Sequence, residues 1–314
     1  MIEISNLTKR YGSINAIHNL NFSVKKGEII GFLGPNGAGK TTTMKIITGF
    51  MAPTSGSVKI AGFDVFENPI EVKKRIGYLP ETPPLYSDML VKDYLRYVAQ
   101  IKGLPSSQIE PGVARAIEKA NLGQVQKRLI GNLSKGFRQR VGVAQALVHN
   151  PDVLILDEPT VGLDPKQVIE IRNLIKELSG DHTVVLSTHV LPEVTATCQR
   201  IIIINKGEIA AEDTFEGLSK RMTSTRRFYV KIRRTGDFEA QVKKIVGVKG
   251  IRPGTAGNSY EVELDKNDDS NEMLAEAIVK SGAGLMEFRS IDVSLEDIFL
   301  KLTTTDVAQQ GATL

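Results

Sequence analysis

Apolar residues recur along the chain with two periods, and the switching between them predicts an α/β protein. From Met1 to about Gly62, apolar runs broken by turn signals at Tyr11-Gly12-Ser13 and Lys25-Lys26-Gly27 predict short strands. Glu28-Ile29-Ile30-Gly31-Phe32-Leu33 reads as a buried strand, and Thr42 to Thr48 as the opening of a helix. A helix near Pro69 to Lys74 and a strand from Arg75 to Tyr78 follow. Leu79 to Asp88 carries Pro80, Pro83 and Pro84, so it should be an irregular, stiff loop. Val91 to Ile101, Gln108 to Ala120 and Gly136 to His149 read as helices with no strand between them, a helical insertion at about residues 89–150. Alternation returns with Val153-Leu154-Ile155-Leu156, the continuous apolar run of a fully buried parallel strand. A helix near Pro165 to Leu178, a strand from Thr183 to Ser187, a short helix from Pro192, and strands near Arg200 to Asn205 and Glu208 to Ala211 complete the series.

After about Met222 the rhythm changes. Arg227 to Arg233, Lys249 to Arg252, Tyr260 to Leu264 and Leu285 to Ser290 read as strands, with helices at Phe238 to Val246 and Asn271 to Lys280. That order, βαββαβ, is the ferredoxin-like split unit. Leu295, Ile298, Phe299 and Leu302 fall on one helical face, which should dock within the chain, and Thr303 to Leu314 reads as a loose tail. The expected organisation is a domain over residues 1–222 and a smaller α+β domain over 223–314.

Composition narrows the class without naming it. The 314 residues suffice for two cores, with 41% hydrophobic and 24% charged residues as in ordinary globular proteins. No apolar run approaches the roughly 20 residues of a membrane helix. The first residues read as a strand rather than a signal peptide, and the single Cys198 permits no internal disulfide, which suits a reducing cytosol. A net charge of +4 is too small to argue for nucleic acid. The run from Lys220 to Arg234 holds seven basic residues and no acid; a solvated linker face is the ordinary explanation, contact with anionic lipid or an acidic partner loop the other.

The chemistry begins after the strand that ends at Leu33. Gly34-Pro35-Asn36-Gly37-Ala38-Gly39-Lys40-Thr41 fits G-x-x-x-x-G-K-[ST], the phosphate-cradling P-loop, in its proper context of strand, glycine loop and helix. Glycines let successive N–H groups converge on a polyphosphate, and the helix start at Thr42 adds donors and the positive end of its dipole. Lys40 would reach the β- and γ-phosphates, and the Thr41 hydroxyl would ligate Mg²⁺. Asp157 and Glu158 follow the apolar strand at its carboxyl end, where open α/β sheets place their sites. With a P-loop in the same chain, Asp157 is expected to hold Mg²⁺ and Glu158 to polarise a water aimed at the γ-phosphate.

Further segments, in order and spacing, resemble the ATP-binding subunits of ABC transporters over about Ile2 to Asp213. Leu133-Ser134-Lys135-Gly136-Phe137-Arg138-Gln139-Arg140 resembles the family signature, Gly162-Leu163-Asp164-Pro165 the D-loop, and His189 in Ser187-Thr188-His189 the switch histidine; Tyr11 sits where the family stacks an aromatic ring on adenine. The resemblance implies a P-loop ATPase domain and two such subunits closing head to tail. Each ATP would lie between one P-loop and the other copy's Ser134 and Gly136, with His189 on the γ-phosphate and Asp164 linking the two sites. Two segments depart from the family pattern. Lys135 and Phe137 replace Gly and Gln in the signature; Lys135 then adds a cation beside the phosphate or faces solvent. Glu81, closing Ile76-Gly77-Tyr78-Leu79-Pro80-Glu81, stands where Gln is common, and would face Mg²⁺ or the attacking water with a negative charge.

The resemblance implies an ATPase powering a membrane transporter, an exporter by its tail domain, with ATP and Mg²⁺ as cofactors. Its partners would be a separate integral membrane permease, meeting the loop from Leu79 to Asp88, and a second ATP-binding subunit, with no nucleic acid, at the cytoplasmic face of the inner membrane. The rival class, a soluble ABC ATPase working on ribosomes or DNA, fits less well. One P-loop is present instead of two, and the interval from Thr41 to Leu133 leaves no room for a long coiled coil. A guanine-reading Asn-Lys-x-Asp is approached only by Asn205-Lys206-Gly207-Glu208, which reads as a hairpin turn.

Overall fold

In the computed structural model, which describes residues 1–222, 225–235, 238–254, 256–265, 270–291 and 294–304, the chain forms two units. One is Met1–Phe215 joined by the described residues from Leu302 onward, the other Glu216–Lys301.

The first unit opens with β1 (Ile2–Tyr11) and β2 (Ile14–Val24), joined by the turn at Gly12 and Ser13. These strands are longer than the expected short runs, because bulges carry them through polar interruptions. The pairing register shifts at several points after Ile4, and Asn6 (φ 51°) and Asn19 (φ 49°) take up left-handed backbone that Asn tolerates. Then come β3 (Ile29–Leu33), α1 (Lys40–Ile47), β4 (Ser55–Ile60), β5 (Phe63–Asp64), α2 (Pro69–Arg75) and β6 (Ile76–Leu79). Three helices follow with no strand between them: α3 (Val91–Ile101), α4 (Ser106–Lys119) and α5 (Lys135–Leu147). The series ends with β7 (Val153–Asp157), α6 (Pro165–Glu177), β8 (Thr183–Thr188), α7 (Leu191–Thr197), β9 (Arg200–Asn205) and β10 (Glu208–Asp213); α8 (Phe215–Met222) follows, its residues from Glu216 onward counted with the second unit.

An antiparallel sheet in the order β2-β1-β4-β5 lies against a six-stranded sheet in the order β10-β9-β3-β8-β7-β6, parallel except for β10. Side-chain alternation divides the work of each parallel strand between two cores. In β7, Val153 and Ile155 join α1 and the antiparallel sheet, whereas Leu154 and Leu156 join α5 and α6 on the other face. The helical insertion has its own core. Val91, Tyr94, Leu95, Val98 and Ala99, the inward face of α3, meet Val113, Ala116 and Ile117 of α4.

The second unit contains β11 (Thr225–Ile232), α9 (Phe238–Val242), β12 (Val248–Pro253), β13 (Ser259–Asp265), α10 (Ser270–Lys280), β14 (Leu285–Ile291) and α11 (Leu295–Thr304) as far as Lys301. Its sheet order, β12-β13-β11-β14 with every pair antiparallel, is the expected ferredoxin-like arrangement. Phe228, Val230 and Ile232 of β11 join Phe238 of α9 and Leu274 and Ile278 of α10 in one core. The helix α9 stops at Val242 rather than continuing to Val246: beyond it the chain tightens, Lys244 and Ile245 donating to the carbonyls three residues back, before Gly247 turns it at φ 91°. Leu295 and Ile298 are buried, as their helical face predicted. Thr303 belongs to α11 rather than to a tail, and residues 305–314 of that expected tail lie outside the described residues.

Candidate functional site

The site follows from where three parallel strands stop. β3, β8 and β7 are neighbours in register, with Leu33 opposite Thr188 and Asp157 opposite Ser187. The segments leaving them emerge side by side at the carboxyl edge of the sheet. After β3 the loop from Gly34 to Gly39 turns into α1. Gly37 (φ 78°) and Gly39 (φ 108°) use backbone that side chains disfavour, and a Cβ at Gly39 would lie 2.7 Å from the Ala16 carbonyl oxygen. The first turn of α1 carries no acidic residue and no side-chain cap, so nothing from this helix competes with an anion there.

Lys40 is 6% exposed, and its ammonium donates to the carbonyls of Gly34 (2.8 Å) and Pro35 (3.2 Å). It lies 3.9 Å from Glu158 Oε1. Burial pulls its pKa below the usual lysine value, while Glu158, Asp157 and Glu81 oppose that shift by favouring the cation. Glu158 has left-handed backbone (φ 49°), a strained conformation costing about 1–3 kcal/mol in a non-glycine residue. Its N–H donates to the Ser187 carbonyl at 2.8 Å, which fixes the turn. One carboxylate oxygen lies 2.8 Å from His189 Nδ1, and the other accepts from the Thr188 hydroxyl at 3.1 Å.

Asp157 is 1% exposed, and among the described residues neither of its carboxylate oxygens has a hydrogen-bond partner. Burial lifts its pKa above the ordinary carboxylate range. The Ser187 and Thr41 hydroxyls are near enough to offset part of that cost without completing a hydrogen bond. A buried, unpartnered carboxylate is the environment a divalent cation would relieve. No group of three or more His, Cys, Asp and Glu able to hold a metal occurs among the described residues. A cation here would therefore take the rest of its shell from the Thr41 hydroxyl, water and a bound anion.

Lys40, Glu158 and His189 share one cavity of about 280 Å³, lined by Asn36, Gly37, Gly39, Lys40, Thr41 and Thr42 from the loop and α1, and by Glu81, Glu158 and His189. Ala16 and Val161, which motif reasoning did not single out, complete the wall. Eight expected site residues do not line it: Gly34, Pro35 and Ala38 of the loop, Asp157, and Ser134, Gly136, Asp164 and Tyr11. Ser134 is exposed and caps α5, accepting from the Phe137 N–H at 3.4 Å. Gly136 is buried, and a Cβ there would lie 2.6 Å from Gln167 Cδ. Asp164 is exposed and caps α6, accepting from the Gln167 N–H at 2.9 Å. Tyr11 is 46% exposed, its hydroxyl 2.8 Å from Met51 Sδ and its ring beneath the Lys9 ammonium at 5.4 Å. Lys135 is exposed, the solvent-facing one of its two expected courses, with its ammonium over Gly162 (φ 70°), where a side chain would collide with it.

Sequence reasoning passed over three polar residues behind Glu158. Thr160, Thr188 and Glu193 are buried and hydrogen-bonded to one another. Only their positions, two residues after Glu158 and on either side of His189, could have drawn attention to them.

Comparison with known proteins gives a consistent result. The ABC transporter family profile matches residues 17–161, and that of the ATP-binding protein DrrA1-3-like C-terminal domain matches residues 220–303. The bacitracin transport ATP-binding protein BcrA of Bacillus licheniformis is 34% identical, over 96% of this chain and 97% of its own. The linearmycin resistance ATP-binding protein LnrL of Bacillus subtilis (strain 168) is 30% identical, over 96% and 98%. Among solved structures, an ATP-binding subunit of an ABC transporter superposes with a TM-score of 0.65 at 29% identity, covering 71% of this chain and 93% of that one. The dimeric, post-hydrolysis ATP-binding cassette MJ0796 bound to ADP and Pi gives a TM-score of 0.62 at 28% identity, covering 68% and 98%.

Proposed function

The chain belongs to the family of ABC transporter ATP-binding subunits, ATPases that drive transport, and we propose a division of labour among its residues on that basis. The P-loop amides and Lys40 bind the β- and γ-phosphates of ATP, with Asn36, Gly37, Gly39 and Thr42 around them. Thr41 and Asp157 hold Mg²⁺, which when bound neutralises charge developing on the phosphates. Glu81 faces the same space and adds a third carboxylate near the cation. Glu158 accepts the proton of the attacking water, held in place meanwhile by His189 and Thr188. Tyr11 lies outside the phosphate cavity, in keeping with a role at the base.

The observation that carries this assignment is the meeting of Lys40, Glu158 and His189 in one cavity beside an unpartnered Asp157. Ser134, Gly136 and Asp164, away from that cavity in their own chain, serve the ATP of a second copy. The dimeric cassette among the solved relatives supports that assignment. Relatives named for bacitracin transport and linearmycin resistance support export as the direction of transport. The membrane permease on a separate chain meets the proline loop after β6. There Tyr86 packs edge-on against Tyr94 at 6.0 Å. No helix among the described residues is long and apolar enough to cross a membrane. Attachment at the cytoplasmic face through that partner is part of the same proposal. Hydrolysis of Mg·ATP by the purified chain, compared with Glu158→Gln, tests the assignment; phosphate release no faster than in that variant would refute it.

A further inference from the structure

The carboxylate proposed to take the proton does not stand alone. Behind Glu158 is a second buried acid, Glu193 of α7, 5% exposed. Its Oε1 accepts from the Thr160 hydroxyl, and its Oε2 lies 3.4 Å from Thr188 Oγ1. Thr188 is fully buried, and the same hydroxyl oxygen lies 3.1 Å from Glu158 Oε2. It also accepts from the Val190 N–H at 3.1 Å. A threonine hydroxyl has one proton. With the backbone N–H already occupying a lone pair, that proton serves Glu158 or Glu193 but not both at once. Burial and the neighbouring charge of Glu158 raise the pKa of Glu193, as expected of two acids on either side of a single donor.

We infer that Glu193 is a positioning residue, which through Thr188 and Thr160 sets the orientation of Glu158 and ties it to the loop that runs on to Asp164. Drawn toward Glu193, the Thr188 proton leaves Glu158 free to turn to the attacking water. Donated to Glu158, it holds that carboxylate against His189. Thr160 brings the other end into register, because it lies on the turn between Glu158 and Gly162 and is anchored only two residues after the reacting carboxylate. A movement of that loop is thereby felt at Thr188. The inference rests on the ATPase assignment given above for Glu158.

The test is steady-state hydrolysis by the purified full chain as wild type, Glu193→Gln, Thr188→Val and the double variant, with Glu158→Gln as the blank. Gln keeps the shape of Glu193 but offers an amide donor in place of an acceptor, and Val keeps the shape of Thr188 without its proton. Each single variant should lower kcat about tenfold with KM for ATP within about twofold, since the residue acts on the chemical step rather than on binding. The double variant should be no slower than the slower single one, as two changes acting through one hydrogen bond do not multiply. Thr188→Ser, which restores the hydroxyl, should recover most of kcat. An unchanged kcat in Glu193→Gln, an effect confined to KM, or losses that multiply to about a hundredfold would each overturn the inference. If Glu193→Gln does not fold, Thr188→Val and Thr188→Ser decide alone: an unchanged kcat in the valine variant, or no recovery with serine, overturns it. A wild type no faster than the blank would overturn the ATPase assignment itself, whereas an active wild type matched by Glu193→Gln would overturn only this inference.

Discussion

Single residues at this site are arranged against their own stability. Asp157 keeps an unpartnered carboxylate in the interior, and a buried polar group without a partner costs about 1–3 kcal/mol. Replacing it with Asn removes the charge that burial disfavours. The nucleotide-free Asp157→Asn protein should therefore melt at least about 2–4 °C above the parent in scanning calorimetry, while hydrolysis is lost. An unchanged or lower melting temperature would show that the carboxylate is not held at a cost. Residues with a fixed geometric duty were legible in advance. Gly37 and Gly39 are needed where φ is positive, and Lys40 must follow them, so their spacing amounts to a motif. Thr160, Thr188 and Glu193 obey no such spacing, because a hydroxyl and a carboxylate can meet across many backbone arrangements. Lys135 was equally open, as a long flexible side chain has several places to go, and its position over Gly162 comes from tertiary contact alone.

At the scale of elements, the buried strands and amphipathic helices of the first unit were nearly all visible, since periodicity and burial agree along β3, β7 and α3. The helix α8 was missed. Phe215, Leu218 and Met222 have helical spacing, but Gly217 and Ser219 lower the local propensity and eight residues are too few to announce a helix unaided. The helix α5 shows how one residue can serve two ends. Ser134 caps it through a hydrogen bond of 3.4 Å, long enough to place its loss near the low end of capping energies, about 0.5 kcal/mol. Ser134→Ala should barely change the melting temperature. In a Glu158→Gln background saturated with ATP it should nonetheless weaken pairing of two copies by about tenfold, if the hydroxyl also meets a phosphate across the pair. Sedimentation velocity separates the two effects, and equal losses in both would reduce Ser134 to a cap.

Over the whole molecule, acid sensitivity can be read from one clamp in the first unit. Arg200 reaches both oxygens of Glu28, at 2.7 and 3.0 Å, and also pairs with Glu212 and the Ser23 carbonyl. Burial acts to raise the pKa of Glu28, but the Arg200 fork and the Lys25 N–H outweigh it, and the net shift is downward. A carboxylate with a lower pKa in the folded state stabilises the fold above its ordinary value of 4.5, and that contribution fades as pH falls through the folded value. Glu28→Gln should thus lower the melting temperature at pH 7, with the gap to the parent closing as pH drops below about 4.5. A gap independent of pH would mean that shape, not charge, holds this corner. The position of Lys135 reaches further still. Its ammonium lies over Gly162, within the loop that begins at Glu158, so the stretch a neighbouring copy would touch at Ser134 is joined to the loop that carries the proposed proton acceptor. Two engines geared together in this way should not fire as independent coin tosses. Pairs built from one intact chain and one Glu158→Gln chain should run well below half the parental speed, and a rate of half would show the gears disengaged.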